Sequence, residues 1–158
     1  MRRSGELPPF QRFFEEHRSD VWRLLVATLG RTEAEDCFQE TFLAALDGYP
    51  RLSDARNLRA WVLTIAHRKA VDVHRRRRLE AVPAGDLPDR GQPPAGDGDP
   101  ELWRAVRSLP AKQRAAIAHR FVADRAYKEI AGAMACSEEA ARRSVHEGIK
   151  RLREVLSR

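Results

Sequence analysis

A stretch in the middle of the chain, Ala81 to Pro100, decides what the rest can become. It reads AVPAGDLPDRGQPPAGDGDP and holds five prolines, four glycines and four aspartates against one arginine. Such a composition cannot bury enough apolar surface to offset the entropy of ordering it. A structureless run of that length inside one compact domain is also uncommon. The 158 residues are therefore expected to form two small units, 1–80 and 101–158, joined by a flexible acidic linker over 81–100.

Both flanks carry helical periodicity, and no β-alternation of useful length appears, so the expected fold class is all-α. The first helix is predicted from about Pro9 to Leu29, with Phe10, Phe14, Val21, Leu24 and Leu25 inward and Gly30 as its stop. The second opens on the capping-box pattern Thr32-Glu33-Ala34-Glu35 and ends near Gly48. Phe38, Phe42, Leu43 and Leu46 are expected on its core face, with Asp36, Gln39, Glu40 and Asp47 outside. The third, Asn57 to Arg78, has no Gly or Pro. Leu58, Trp61, Val62, Ile65 and Ala66 form its apolar stripe. Beyond Ala66 it turns basic, ending in Arg75 to Arg78, a run that repels itself unless phosphate or carboxylate is near. Three such stripes can bury one another in a bundle.

After the linker, Leu102, Val106 and Leu109 mark a short helix. Pro110 suits the start of the next, whose apolar face is Ile117 and Phe121. Tyr127 to Met134 and Ser137 to Leu156 then have the form of a helix-turn-helix. Ile130, Ala131 and Met134 are expected against Ala141, Val145 and Ile149, with Ser137 as N-cap. Arg142, Arg143, His146 and Lys150 would face outward from a helix that can lie in a major groove.

Charge points the same way. The net charge is +6 and the pI near 10.0, which favours a polyanionic partner. No apolar run reaches membrane-spanning length and the N-terminus has no signal core, so a cytoplasmic protein without membrane insertion is expected. Cys37 and Cys136 are isolated and expected to be small buried residues. No metal or other cofactor is expected, because there is no Gly-rich phosphate loop, nucleophile motif or ligand-spaced cluster. An enzyme is accordingly not expected.

The order of elements is more specific than any one of them. AEDCFQETFLAAL, NLRAWVLTIAHRKAVDVHRRRR and LPAKQRAAIAHRFVADRAYKEIAGAMACSEEAARRSVHEGIKRLREVL occur in sequence. Together they resemble a group IV, or extracytoplasmic-function, sigma factor of the sigma-70 family, over roughly Phe10 to Leu156. The resemblance implies a non-catalytic initiation subunit that binds core RNA polymerase and promoter DNA, and it admits an anti-sigma factor as a partner. It implies a sigma region 2 before the linker and a sigma region 4 after it. Asp36, Gln39 and Glu40 fall on the helix that grips the polymerase clamp; their i, i+3, i+4 spacing makes one patch. Asn57, Arg59, Trp61, Arg68, Lys69, Asp72, Arg75, Arg76 and Arg77 fall where the family reads and opens the −10 element. The loop Tyr49 to Arg56 resembles the segment that holds a flipped base, a step served by aromatic surface and nearby cations. Trp61 also fits the apolar stripe, and core packing is its favoured role. Lys128, Ser137, Glu138, Arg142, Arg143, His146 and Lys150 fall on the reader of the −35 element. The linker resembles the segment that threads the polymerase RNA path.

Four positions depart from the family pattern. Ala135 stands in the turn where Gly is common, Glu147 where a basic residue is common, Ala141 where Val is usual, and Arg68 where Asn is frequent. The competing reading is a stand-alone helix-turn-helix regulator whose N-terminal bundle serves dimerisation.

Overall fold

The computed structural model describes residues 6–80 and 99–158. All regular structure in them is helical: α1 Phe10–Leu29, α2 Arg31–Gly48, a 3-10 turn Tyr49–Arg51, α3 Leu58–Glu80, α4 Pro100–Ser108, α5 Ala111–Ile117, a π-helical turn Ala118–Val122, α6 Tyr127–Met134 and α7 Glu138–Leu156. Most of the expected linker, 81–98, lies outside the described residues. Its last two positions are the cap and the first residue of α4. Asp99 caps that helix, its side chain accepting from the Glu101 N–H, and Pro100 opens it.

Helices α1, α2 and α3 pack mutually around Phe13, Val21, Leu24, Leu25, Val62 and Leu63. Gly30 separates α1 from α2 with φ 83°, a left-handed value that L side chains resist, and donates to the Val26 carbonyl. Because Gly30 itself starts α2, Thr32 lies inside the helix and caps nothing, contrary to the expected capping box. The core face of α2 is also corrected. Ala34, Cys37, Thr41, Phe42 and Ala45 are inside, whereas Leu43 and Leu46 are 66% and 50% exposed. The small residues at 34, 37, 41 and 45 form a stripe that lets α2 approach α1 and α3 closely. Leu43 and Leu46 lie behind it. Thr41 is satisfied there by donating to the Cys37 carbonyl at 2.7 Å. Cys37 is buried as expected, and burial together with Glu40 pushes its thiol up to about 11. Cys136 is exposed, because it sits in a two-helix turn rather than on a packed face.

The last turn of α1, Val26 to Leu29, is buried on every side. An amphipathic helix becomes so only where a second layer covers its outer face. That layer is the C-terminal half: α1 meets α4, α5 and the π-turn, and α3 meets α6. Ala118 and Ala123 join the N-terminal core, with Trp103 and Val122 packed on it. Phe121, expected on the apolar face with Ile117, is 61% exposed. The wide turn explains this. The Ala123 N–H reaches back five residues to the Ala118 carbonyl at 3.0 Å, which breaks the i, i+4 register and turns His119 inward instead.

In the helix-turn-helix, Ile130 and Ala131 pack against Ala141, while Val145 and Ile149 pack against Leu109, Ala116 and Ile117 of the preceding elements. Ser137 caps α7, its hydroxyl accepting from the Ala140 N–H at 3.0 Å. Ala135 adopts φ 53°, ψ 47°, the left-handed conformation that glycine tolerates and alanine resists. Ala135→Gly is therefore expected to stabilise the chain by about 1 kcal/mol, with unfolded-state entropy offsetting part of the relieved strain. A urea midpoint that stays put or falls would show that the turn carries no such strain.

Candidate nucleic-acid interface

The outer face of α2 exposes Asp36 and Gln39, with Glu40 half-buried one turn on from Asp36. Leu43 continues the same face beyond them. Sequence patterning placed it in the core, although its position four residues after Gln39 is the signal that it shares the polar face.

Across from α2, the arginine run of α3 divides in two. Arg76 Nη2 lies 3.9 Å from Glu40 Oε2, and Arg77 pairs with Glu33. These pairs relieve the self-repulsion of the run, although exposed pairs contribute little stability. Arg75 and Arg78 border a cleft of about 520 Å3 between the halves. Arg143 of α7 and Lys112 of α5 line the same cleft. Asp72 is exposed beside Lys69 in a shallow groove that also holds Glu40 and Leu43. Arg68 is exposed.

Three of the predicted −10 residues are engaged in the fold itself. Trp61 is half-buried, its ring 5.8 Å from Phe13 and 6.4 Å from Tyr49, and it packs close to the backbone at Gly48. Core packing is thus its role in the free chain. Arg59 Nε lies 3.0 Å from Asp20 Oδ2, and its Nη2 donates to the Ala123 carbonyl, so it ties the two halves together. Asn57 is exposed with φ 63°, a value asparagine tolerates, and its carbonyl accepts from the Trp61 N–H to start α3. In the loop before it, Tyr49 is buried and its hydroxyl donates to the Pro8 carbonyl. Arg56 is held to Asp54 at 2.7 Å.

On the second half, Lys128, Glu138, Arg142, Arg143, His146 and Lys150 are all exposed, and so is Glu147. Small or β-branched residues at Ala141, Val145 and Gly148 face inward and set the register that turns the cations out. Ser137 is exposed but its hydroxyl is engaged in capping. Arg142 is ordered by its neighbour: its guanidinium lies 4.8 Å from the Tyr127 ring centre, and that of Arg120 lies 4.6 Å from it.

A helix-turn-helix with a cationic outer face, set on a three-helix bundle with its own basic helix, defines a two-part DNA-binding protein. Residues 13–80 match the family described as Sigma-70 region 2, and residues 100–152 match Sigma-70, region 4. The chain is 30% identical to the RNA polymerase sigma factor CarQ of Myxococcus xanthus, over 98% of this chain and 92% of that one. It is 31% identical to the ECF RNA polymerase sigma factor SigD of Mycobacterium tuberculosis, over 97% and 79%. Its fold is similar to that of the sigma factor RpoE from Bartonella quintana, solved with the anti-sigma factor NepR: TM-score 0.78 at 22% identity, covering 94% of this chain and 96% of that one. The chain belongs to the extracytoplasmic-function sigma factors of the sigma-70 family. It is a sigma subunit for promoter-specific transcription initiation, with core RNA polymerase and promoter DNA as partners.

Proposed function

We propose that residues 1–80 act as the unit that docks polymerase and handles the −10 element, and residues 101–158 as the unit that reads the −35 element. The observation that carries this division is the opposed placement of charge: an acidic-polar face on α2 and cationic faces on α3 and α7. Asp36, Gln39 and Glu40 dock the polymerase, and exposed Leu43 adds apolar area to the same contact. Arg68, Lys69 and the arginine run meet the DNA strand near −10. Arg142, Arg143, His146 and Lys150 address the −35 groove, with Lys128 on phosphate. The subunit contributes no catalytic group and works in the cytoplasm, where polymerase and template are. Among the described residues no helix is long and apolar enough to cross a membrane. An anti-sigma factor is a further partner. Support for it is the likeness to sigma factors solved with such partners, RpoE with NepR and CnrH with the cytosolic domain of CnrY. A stand-alone regulator is not favoured, because the family match spans both halves.

Replacing Asp36, Gln39 and Glu40 together with Ala is expected to weaken core-polymerase binding at least tenfold while far-UV circular dichroism is unchanged. Asp36 and Gln39 face solvent, and the ion pair of Glu40 with Arg76 is part-exposed and contributes little stability, so the fold should survive. Unchanged affinity in a titration with core polymerase would remove α2 from the docking surface.

A further inference from the structure

Between the two halves lies a hydrogen-bonded chain that neither polymerase docking nor DNA reading uses. Arg125, 1% exposed, places Nη1 3.2 Å from His119 Nδ1. His119, fully buried on the π-turn, places Nε2 3.2 Å from His67 Nδ1 on α3. Arginine can only donate, so His119 Nδ1 must accept. The proton of a neutral His119 then sits on Nε2 and is donated to His67 Nδ1. The chain runs one way, Arg125 to His119 to His67, and it holds together only while both rings are neutral. It crosses the interface between the halves beside two other ties, Arg59 Nη2 to the Ala123 carbonyl and Arg114 Nη1 to the Thr28 carbonyl at 3.0 Å.

We propose that His67, His119 and Arg125 form a proton-sensitive latch that closes the free sigma subunit on itself, with Arg75 and Arg78 set opposite Arg143 across one cleft. Insofar as those arginines are the DNA-contacting groups, the closed form is autoinhibited. A cleft of about 520 Å3 admits no duplex. Elements named −35 and −10 lie some 25 base pairs apart, roughly 85 Å along B-DNA at about 3.4 Å per step. One closed molecule cannot reach both.

The surroundings set the sign of the proton effect. Arg68, His74 and Arg125 act on His67, and Arg125 and His67 on His119. His74, which lines the cleft, is lowered by burial first and then by Arg114 and Arg78. The carboxylate near this cluster is Glu129, 3.7 Å from Arg125 Nε, with Arg59 beyond. Burial first, then these cations, holds His67 down to about 4 and His119 well below its usual value. In the open form both rings are hydrated and regain values near about 6.5. Groups whose pKa is depressed on closing stabilise the closed state fully above the open-state value. That stability is lost as pH falls from about 6.5 toward the closed-state values. The closing constant should fall roughly tenfold per pH unit in that window for one imidazole and about a hundredfold for the pair.

The test uses the full chain without polymerase, spin-labelled at native Cys136 and at Leu79→Cys, both exposed and on opposite halves. A single short distance at about pH 8, giving way to longer ones between about pH 6.5 and 4.5 with helicity retained, is the expected result. In His67→Gln/His119→Gln, each amide can accept and donate as the imidazole did but does not titrate, so the distance should stay short. His67→Gln alone, with one buried imidazole left, should show half the pH steepness. A long distance at high pH, no change on acidification, or the same opening in both variants would overturn the latch. Core polymerase added at high pH should also lengthen the distance. Opening by acid but not by polymerase would leave the latch standing and remove the assigned docking surface.

Discussion

Phe13→Ala should cost about 3–5 kcal/mol, the largest stability loss expected from a single truncation in this chain. Phe13 is fully buried, and its ring lies 5.1 to 5.8 Å from those of Phe10, His17, Tyr49 and Trp61, with Phe42 at 6.3 Å. These neighbours are flat, stiff rings that cannot collapse into the space, so the cavity adds its own cost to the missing transfer energy. A domain of this size has only about 5–15 kcal/mol in total. Urea unfolding followed by circular dichroism and by tryptophan fluorescence measures the loss, and Trp61 reports on the site directly. Leu79→Ala, at a position 82% exposed, serves as the control and should change stability by no more than about 0.5 kcal/mol. A loss below about 1 kcal/mol at Phe13 would mean that the aromatic cluster is not what holds the first half together.

The helices were legible because their signals are local. Apolar spacing, Gly30 and Gly48 as punctuation, and Ser137 as a cap place nearly every element close to its observed bounds. The helix-turn-helix was legible too, down to Ala135 as the strained position. What failed did so where packing overrides pattern. Leu43 and Leu46 look like core residues, but α2 is held by a stripe of small residues that hydrophobicity alone ranks lower. Phe121 was misplaced because nothing in AHRFV announces a π-turn. The closure of one half on the other was invisible for a related reason. It rests on buried polar groups, His119 and Arg125, and on the last turn of α1, whose apolar completeness becomes meaningful only once a second layer is seen. At the candidate site, spacing located the cationic faces. It could not show that Arg76 and Arg77 lie against Glu40 and Glu33, while Arg75 and Arg78 border the cleft.

That split sharpens what the arginines should do on a promoter. Arg142 and Arg143 lie on the exposed face of α7, and Arg142 is held over Tyr127, so little side-chain entropy remains to be given up when it meets a base. An arginine so placed can donate two hydrogen bonds to a guanine edge. Removing such an interaction costs roughly 1–3 kcal/mol and relaxes preference at one base pair. Arg75 and Arg78 sit in a run of four adjacent cations, too dense for each to address a base, so phosphate is their expected partner. Arg75→Gln/Arg78→Gln should lower affinity for every sequence alike. It should also flatten the log–log salt dependence by about two units, near 0.9 for each phosphate that is no longer neutralised. Arg142→Ala and Arg143→Ala should instead weaken a matched −35 sequence more than a scrambled one. The measurement is holoenzyme binding to both sequences over a salt series. If the α7 variants weaken both sequences equally, Arg142 and Arg143 contribute charge and no sequence reading. If the α3 double variant leaves the salt slope unchanged, the cleft arginines do not reach phosphate even in the open molecule, and the −10 contact must rest on Arg68, Lys69 and the arginines facing α2.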